Sequence, residues 1–177
     1  SAMPRSPRYT RGPTRSSDWS SHEAFSLKVH NPGRYGFGQR VEGISQVLDL
    51  GIVIVNYNVR DLLSDCLASV YDSRGSFAFG VCVVDNASGD GSADMVAAEF
   101  PQVRLIRAEN RGYAAGNNLG LKAFGFGPQG SEDDTGTYDR LESATPRFAL
   151  LLNPDTILPP SALADMLRFM EDHPEAG

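Results

Sequence analysis

The sequence predicts an α/β fold, an open, doubly wound and mostly parallel sheet with helices on both faces. From Gly51 onward, four short apolar runs alternate with four segments whose apolar residues recur at helical spacing. This alternation is typical of βαβ units, because parallel strands need a crossover connection that is usually a helix. Since crossovers keep one hand, an open sheet is the simplest arrangement of these elements.

The first predicted unit begins with the continuous run Gly51–Val55, which is rich in β-branched residues. Such a run is typical of a strand that is buried on both faces. A polar stretch, Asn56–Asn58, follows it. The first helix is then predicted from apolar residues at helical spacing, which are Leu62, Leu63, Cys66, Leu67 and Val70.

The second and third units repeat this order. The second strand is predicted at Val81–Val84, followed by a polar turn at Asp85–Gly91. Ser92 is the predicted N-cap of a helix that carries Met95, Val96 and Phe100. The third strand, Val103–Ile106, leads through Asn110–Tyr113 into a helix that ends near Phe124.

The last unit contains the fourth predicted strand, Phe148–Leu152, which ends at the polar segment Asn153–Thr156. Pro160–Ser161 then begins a helix that closes near His173–Pro174. Its apolar stripe, which we predict to be core, consists of Leu163, Met166, Leu167 and Met170.

Two regions differ in composition from the predicted body, residues 49–177. Residues 1–48 are rich in Ser, Arg, Pro and Gly and have no apolar periodicity, so we expect a partly disordered tail. Residues 125–146 combine glycine and acidic residues with few apolar ones, so we expect a mobile surface insertion within the body.

The net charge of −6 is unevenly distributed. Residues 1–48 contain seven Lys and Arg against three Asp and Glu, which leaves a balance of −10 for the rest of the chain. An acidic body argues against nucleic acid as a partner, because that binding depends on neutralising phosphates. The basic tail could support peripheral association with an anionic membrane, but it lacks a clustered Lys/Arg run, so a solvated tail is the favoured interpretation.

The sequence also indicates a compartment. No stretch approaches the roughly 18 to 20 apolar residues of a membrane-spanning helix, so we expect a soluble chain. Cys66 and Cys82 lie in apolar runs without Cys-x-x-Cys spacing, which predicts small core residues and not metal ligands or a disulfide. Unpaired cysteines suit a cytoplasmic location, which includes the inner face of the membrane.

Polar clusters follow three of the four predicted strands, at Asn56–Asn58, Asp85–Asn86 and Asn153–Asp155. The carboxyl ends of parallel strands meet at one edge of an open sheet, where ligands bind. Asp85 could accept hydrogen bonds from a ribose or base, or it could cap its own turn. Asp155 could anchor a divalent ion on a diphosphate, or it could serve a turn before two prolines. Both alternatives remain open on position alone.

Four segments in this order resemble the motifs of family 2 glycosyltransferases, in particular bacterial rhamnosyltransferase-like members. The resemblance covers about Leu50–Gly177, and the segments that carry it are Ile54–Asn58, Val83–Ser92, Asn110–Gly120 and Leu151–Thr156. It implies a GT-A fold that binds a nucleotide-diphosphate sugar, such as a UDP- or dTDP-sugar. It further implies inverting transfer to a saccharide or lipid-linked acceptor, as in the biosynthesis of cell-wall polysaccharides.

The resemblance also assigns roles to residues. It implies that Tyr57 and Asp85 contact the base and ribose, and that Asp155 holds Mg²⁺ or Mn²⁺ on the diphosphate. The same nucleotide site is expected to include Asn86, Asn110, Arg111, Gly112, Asn117 and Asn118. The family's metal motif is often Asp-x-Asp, and here Asn153 stands in the first position. Asp155 is therefore the one metal-binding carboxylate that we predict.

The resemblance implies no catalytic residue within these 177 residues. An inverting enzyme needs an Asp or Glu general base near the acceptor hydroxyl, and we expect that base beyond Gly177. On this prediction the 177 residues bind the donor and transfer sugar poorly or not at all. Two alternatives remain open: a nucleotidyltransferase, although Asn56–Arg60 lacks the glycine-rich loop expected of one, and a non-catalytic nucleotide-binding or scaffold domain.

Overall fold

The computed structural model describes residues 48–127 and 145–176. The predicted tail, apart from Leu48, and residues 128–144 of the predicted insertion lie outside the described residues. Strands and helices alternate as the sequence predicts, in the order β1 (Leu50–Asn56), α1 (Arg60–Tyr71), β2 (Phe79–Asn86), α2 (Ser92–Glu99), β3 (Arg104–Ala108), α3 (Tyr113–Ala123), β4 (Phe148–Leu152) and α4 (Ala162–Asp172).

The strands within the described residues form one parallel sheet in the order β3-β2-β1-β4. β1 is central, and all seven of its residues are buried, as expected for a strand covered on both faces. The chain adds β2 and β3 on one side of β1 and then returns to add β4 on the other. The strand order therefore reverses between β1 and β4, the kind of position where open α/β sheets bind ligands.

Helices cover both faces of the sheet, which confirms the predicted fold class. Alternate residues of a strand point to opposite faces, and β1 divides its apolar side chains in this way. Ile52 and Ile54 pack with buried residues of α1, α2 and α4. Val53 and Val55 belong to a second cluster that includes Phe124, just after α3. The sheet is thus enclosed between two separate apolar layers.

Helix α3 lies unusually close to β1 because two of its residues are glycines. A Cβ atom on Gly120 would lie 2.3 Å from Val53 Cγ1, and one on Gly116 would lie 2.8 Å from Val55 Cγ1. Real Cβ atoms essentially never approach other atoms below 3.0 Å. The two glycines, four residues apart on one helical face, therefore allow α3 to pack directly against Val53 and Val55 of β1.

Two sequence predictions about single residues are wrong. Met166 on α4 is 42% exposed, so it is not the core residue that the sequence predicts, whereas Leu163 and Leu167 are buried. Ser92 is not the N-cap of α2, because it is the first residue of that helix and its side chain makes no capping bond. Its backbone N–H instead donates to Asp90 Oδ1 at 3.0 Å.

The described ends of the predicted insertion contact the sheet. Phe126 packs on the layer formed with α3, and its N–H donates to the Leu121 carbonyl oxygen at 3.0 Å. At the other end, Pro146 lies against Gly51 of β1. Helices in the described ranges are all too short or too polar to cross a membrane.

Candidate nucleotide-binding site

Polar residues of the three predicted clusters meet at the carboxyl edge of the sheet. Asn56 ends β1 and lies directly beside Asp85 in the register of β2. Asn86 ends β2 one residue later. On the other side of β1, the paired strand β4 ends at Leu152, and the turn that carries Asp155 follows. The structure thus places these groups around the end of the central strand.

Asp85 is held by two groups of the protein. Its side chain is nearly buried, with 4% of the residue exposed. Asn56 Nδ2 donates to Asp85 Oδ1 at 2.9 Å, and the Ser88 N–H donates to Asp85 Oδ2 at 3.0 Å. The capping contact that the sequence left open is therefore present. A carboxylate offers about four acceptor sites, so these two bonds leave capacity for a ligand's hydroxyl or N–H.

Asn56 is the residue that the sequence prediction missed in this role. It is fully buried, and its Nδ2 also donates to Ser88 Oγ at 3.0 Å. Its Oδ1 has no hydrogen-bond partner within the described residues, although it is buried. A buried polar group without a partner is uncommon and marks places where a water or ligand is bound. An asparagine at the end of an otherwise apolar strand was the available signal.

The loops after β1 and β2 are joined into one unit. Asn58 Oδ1 accepts from the Gly89 N–H at 2.8 Å, and the Asn58 N–H donates to Ser88 Oγ at 3.0 Å. Asp90 accepts from the Arg60 N–H at 2.9 Å, so it caps the start of α1 as well as that of α2. Hydrogen bonds, first of all from the Ser92 hydroxyl, lower the pKa of Asp90. This carboxylate is ionised at neutral pH and fixes both loops.

The predicted site residues in the loop between β3 and α3 are joined by a hydrogen bond to the end of β2. Asn86 Nδ2 donates to the Gly112 carbonyl oxygen at 3.3 Å, and the Gly112 N–H donates to Asn110 Oδ1 at 3.1 Å. Gly112 has a φ of 91°, a conformation that favours glycine. Arg111 is exposed and pairs with Glu109 at 3.0 Å, so its guanidinium points along its own loop.

Two predicted asparagines of α3 have different surroundings. Asn118 is exposed, whereas Asn117 is only 5% exposed. Asn117 Nδ2 donates to the Tyr113 carbonyl oxygen at 3.2 Å, and its buried Oδ1 has no partner among the described residues. Tyr57 and Tyr113 are 53% and 51% exposed. Two aromatic rings at this edge are therefore available for contact with a planar ligand.

Asp155 lies in a tight turn after β4, closed by a 3.2 Å bond from the Thr156 N–H to the Asn153 carbonyl oxygen. Its carboxylate is exposed and receives no hydrogen bond from the described part of the chain. Asn153 Oδ1 accepts from Tyr113 Oη at 3.0 Å, so this oxygen is already engaged. The turn therefore offers one free carboxylate.

A single free carboxylate limits the kind of metal site that these residues can make. Across residues 48–127 and 145–176, no three His, Cys, Asp or Glu side chains are grouped to hold a metal ion. Mg²⁺ keeps several waters and needs only one or two carboxylates when phosphate oxygens complete its shell. Asp155 is thus suited to an ion whose other ligands include diphosphate oxygens. It is not suited to a site in which the protein supplies every ligand.

Comparison with known proteins agrees with this geometry. Residues 51–125 match the model of glycosyl transferase family 2. No curated protein sequence matches the chain. S. aureus TarS in complex with UDP-GlcNAc is similar to it in structure, with a TM-score of 0.51, 20% identity and 71% of this chain covered. The same TarS fragment without a named ligand gives a TM-score of 0.50, also at 20% identity and with 71% of this chain covered.

A third solved structure, the mannosyltransferase PcManGT from Pyrobaculum calidifontis in complex with GDP-Man and Mn²⁺, has a TM-score of 0.49 at 21% identity and covers 71% of this chain. The match spans only 32% of the TarS chain bound to UDP-GlcNAc and 33% of the other two chains. Residues 51–125 thus match glycosyl transferase family 2, and the parallel sheet covered by helices on both faces is an α/β fold similar to that of the TarS glycosyltransferase structures.

Proposed function

We propose that this chain binds the nucleotide of a nucleotide-diphosphate sugar for inverting transfer of the sugar to an acceptor hydroxyl. The observation that carries the proposal is the meeting of Asn56, Asp85 and the Asp155 turn at the carboxyl edge of a family 2 domain. TarS, which shares this fold, binds UDP-GlcNAc. That complex supports a UDP-sugar as the donor, and a dTDP-sugar is proposed beside it.

The nucleoside is proposed to lie across the ends of β1 and β2. Tyr57 presents an exposed ring on which a base can stack. Asp85 accepts one hydrogen bond each from Asn56 and Ser88, and its carboxylate can accept a further one from a ribose hydroxyl. The loop after β3, with Asn110 and its neighbours Arg111 and Gly112, closes the side of the site next to β2. Asn118 is exposed on α3, and we propose that it belongs to the same site.

Asp155 is proposed to hold Mg²⁺ or Mn²⁺ on the diphosphate. A bound divalent ion supplies Lewis-acid stabilisation of the negative charge that builds on the leaving diphosphate. The contribution of the chain is one exposed carboxylate in the turn that follows β4. The oxygen of Asn153, engaged by Tyr113, is not needed for this role.

The acceptor is proposed to be a saccharide or a lipid-linked saccharide of a surface polysaccharide. Inversion needs a carboxylate within hydrogen-bond reach of the acceptor hydroxyl. The proposal uses Asp85 and Asp155 for the donor, and it assigns the role of general base to neither of them. A cytoplasmic location, including the inner face of the membrane, remains a proposal that the free thiols Cys66 and Cys82 support.

The proposal is tested by calorimetric titration of the chain with UDP, dTDP and GDP, each with Mn²⁺ and with EDTA. We expect saturable binding of UDP or dTDP that Mn²⁺ strengthens by about tenfold, or about 1.4 kcal/mol. UTP serves as the control for a nucleotidyltransferase. Stronger binding of UTP than of UDP would support that alternative, and no binding of any nucleotide would support a scaffold domain.

A further inference from the structure

The link between β4 and α4 is attached at three points to α1 and the segment that follows α1. This link, residues 153–161, carries Asp155 in its first half. Three hydrogen bonds connect it to α1 and the residues just after it: Cys66 Sγ to the Asn153 carbonyl oxygen at 3.6 Å, the Leu158 N–H to Ser69 Oγ at 3.0 Å, and the Arg74 N–H to the Pro160 carbonyl oxygen at 2.7 Å.

Ser69 fixes the far end of the Asp155 turn. Its hydroxyl donates to the Cys66 carbonyl oxygen at 2.8 Å, which directs the oxygen lone pairs toward the Leu158 N–H. The Leu158 side chain is 8% exposed and belongs to the core layer of α1. Both the backbone and the side chain of Leu158 are therefore held in place.

Cys66 fixes the near end of the turn. Cys66 is fully buried, and its thiol donates to the Asn153 carbonyl oxygen at 3.6 Å. The same carbonyl oxygen accepts from the Thr156 N–H and so closes the turn that carries Asp155. The bond from Cys66 therefore joins this turn to α1.

We propose that Cys66 and Ser69 are positioning residues that set the place of the Asp155 carboxylate at the carboxyl edge of the sheet. Asp155 itself is exposed and receives no hydrogen bond from the described residues, so its position depends on the two ends of its turn. Groups that hold a metal ligand commonly decide how well the ligand binds. The inference rests on the proposed function for its link to metal binding, and its structural part is measurable without a ligand.

The structural part is tested by hydrogen exchange of the ligand-free chain. Ser69→Ala removes the acceptor of the Leu158 N–H, so we expect that amide to exchange about tenfold faster. Ser64→Ala is the matched control, because Ser64 also lies partly buried on α1 and makes no hydrogen bond to the link. Unchanged exchange at Leu158 in Ser69→Ala would overturn the proposal.

The functional part is tested by UDP titration in Mn²⁺ and in EDTA. We expect Ser69→Ala and Cys66→Ala to weaken binding in Mn²⁺ by about three- to tenfold and to leave binding in EDTA unchanged. Cys66→Ser, which keeps a donor, should restore most of the loss, and Ser64→Ala should match the parent chain. Thermal melts of each variant, without ligand, confirm that the sheet is folded at the titration temperature.

The outcomes separate the two proposals. If Asp155→Asn abolishes the Mn²⁺ effect while Ser69→Ala keeps it in full, the positioning role is wrong and the proposed function stands. If the parent chain binds UDP equally in Mn²⁺ and in EDTA, the metal role of Asp155 is wrong, and the functional part of the positioning proposal is overturned with it.

Discussion

Asn56 Nδ2 lies 2.9 Å from Asp85 Oδ1, and the two residues are register partners at the ends of β1 and β2. The bond joins a fully buried amide to a nearly buried carboxylate. Because Asn56 also donates to Ser88, one side chain holds both the Asp85 carboxylate and the turn after β2. This arrangement places an acidic group at the sheet edge in one orientation.

Replacing Asn56 tests how much this orientation contributes to stability. Asn56→Ala leaves Asp85 and Ser88 each without one buried partner, so we expect the free energy of unfolding to fall by about 1 to 3 kcal/mol. Urea denaturation followed by circular dichroism measures the change. Asn118→Ala, at an exposed helical position, should stay within about 0.5 kcal/mol of the parent chain. Equal stability of the two variants would show that the Asn56 bonds contribute nothing.

Asp85→Ala separates the two interpretations of that carboxylate. The contacts with Asn56 and Ser88 predict a stability loss of about 1 to 3 kcal/mol. The proposed ribose contact predicts an additional loss of UDP affinity in the fraction that remains folded. Titration below the melting temperature measures the second effect. Normal UDP affinity together with a lowered melting temperature would mean that Asp85 serves only its turn.

Gly120→Ala tests the close approach of α3 to β1. Alanine favours a helix over glycine by about 1 kcal/mol, but its Cβ would lie 2.3 Å from Val53 Cγ1 on the central strand. Forcing extra volume into a close-packed core costs about 1 to 3 kcal/mol, so we expect a net loss of stability. Gly89→Ala is the control, since its Cβ would meet nothing within 4 Å.

A second change can rescue the same variant. Combining Gly120→Ala with Val53→Ala removes the atoms that clash, so the double variant should lose less than the sum of the two single losses. If the double variant loses as much unfolding free energy as the two single variants together, the two residues do not compete for space.

How far the sequence predicts this fold differs between its elements. The strand predictions depended on continuous apolar runs, and β4 was found at Phe148–Leu152 as predicted. Helical periodicity identified α1 and α4 but placed Met166 in the core, where it is not. The spacing of apolar residues shows which side of a helix faces the core. How many residues on that side are buried depends on the elements that pack against it, and the sequence of the helix does not specify those.

The candidate site was predictable in outline and not in its contacts. Strand ends with polar residues predicted that Asp85 and Asp155 would lie at one sheet edge, and β2 and β4 do flank β1 there. The hydrogen bonds from Asn56 to Asp85 and from Tyr113 to Asn153 join residues 29 and 40 positions apart. Such pairings depend on register and helix placement, which no local pattern in the sequence encodes.

The buried thiols predict a loss of stability in alkali. Burial raises the pKa of Cys66 to about 11 and that of Cys82 to about 12, above the ordinary value of 9.0. A group whose pKa is higher in the folded state stabilises that state below the unfolded pKa and loses this contribution as pH rises through the folded value. Stability in urea should therefore fall between about pH 9 and pH 12.

Cys66→Ala and Cys82→Ala, together in one chain, should flatten that alkaline fall relative to the parent. In the parent at pH 8, Ellman's reagent should label neither thiol until the chain unfolds, because both are buried. Rapid labelling of two thiols in the native chain would contradict the placement of these residues in the core.

The most direct test of the account is the effect of Asp155→Asn on the metal dependence of UDP binding. Titrations of the parent and the variant in Mn²⁺ and in EDTA give four affinities. The account predicts that Mn²⁺ strengthens binding to the parent by about tenfold, that it leaves the variant unchanged, and that the two chains agree in EDTA. An undiminished Mn²⁺ effect in Asp155→Asn would contradict the account, because Asp155 is the only metal-binding carboxylate it assigns.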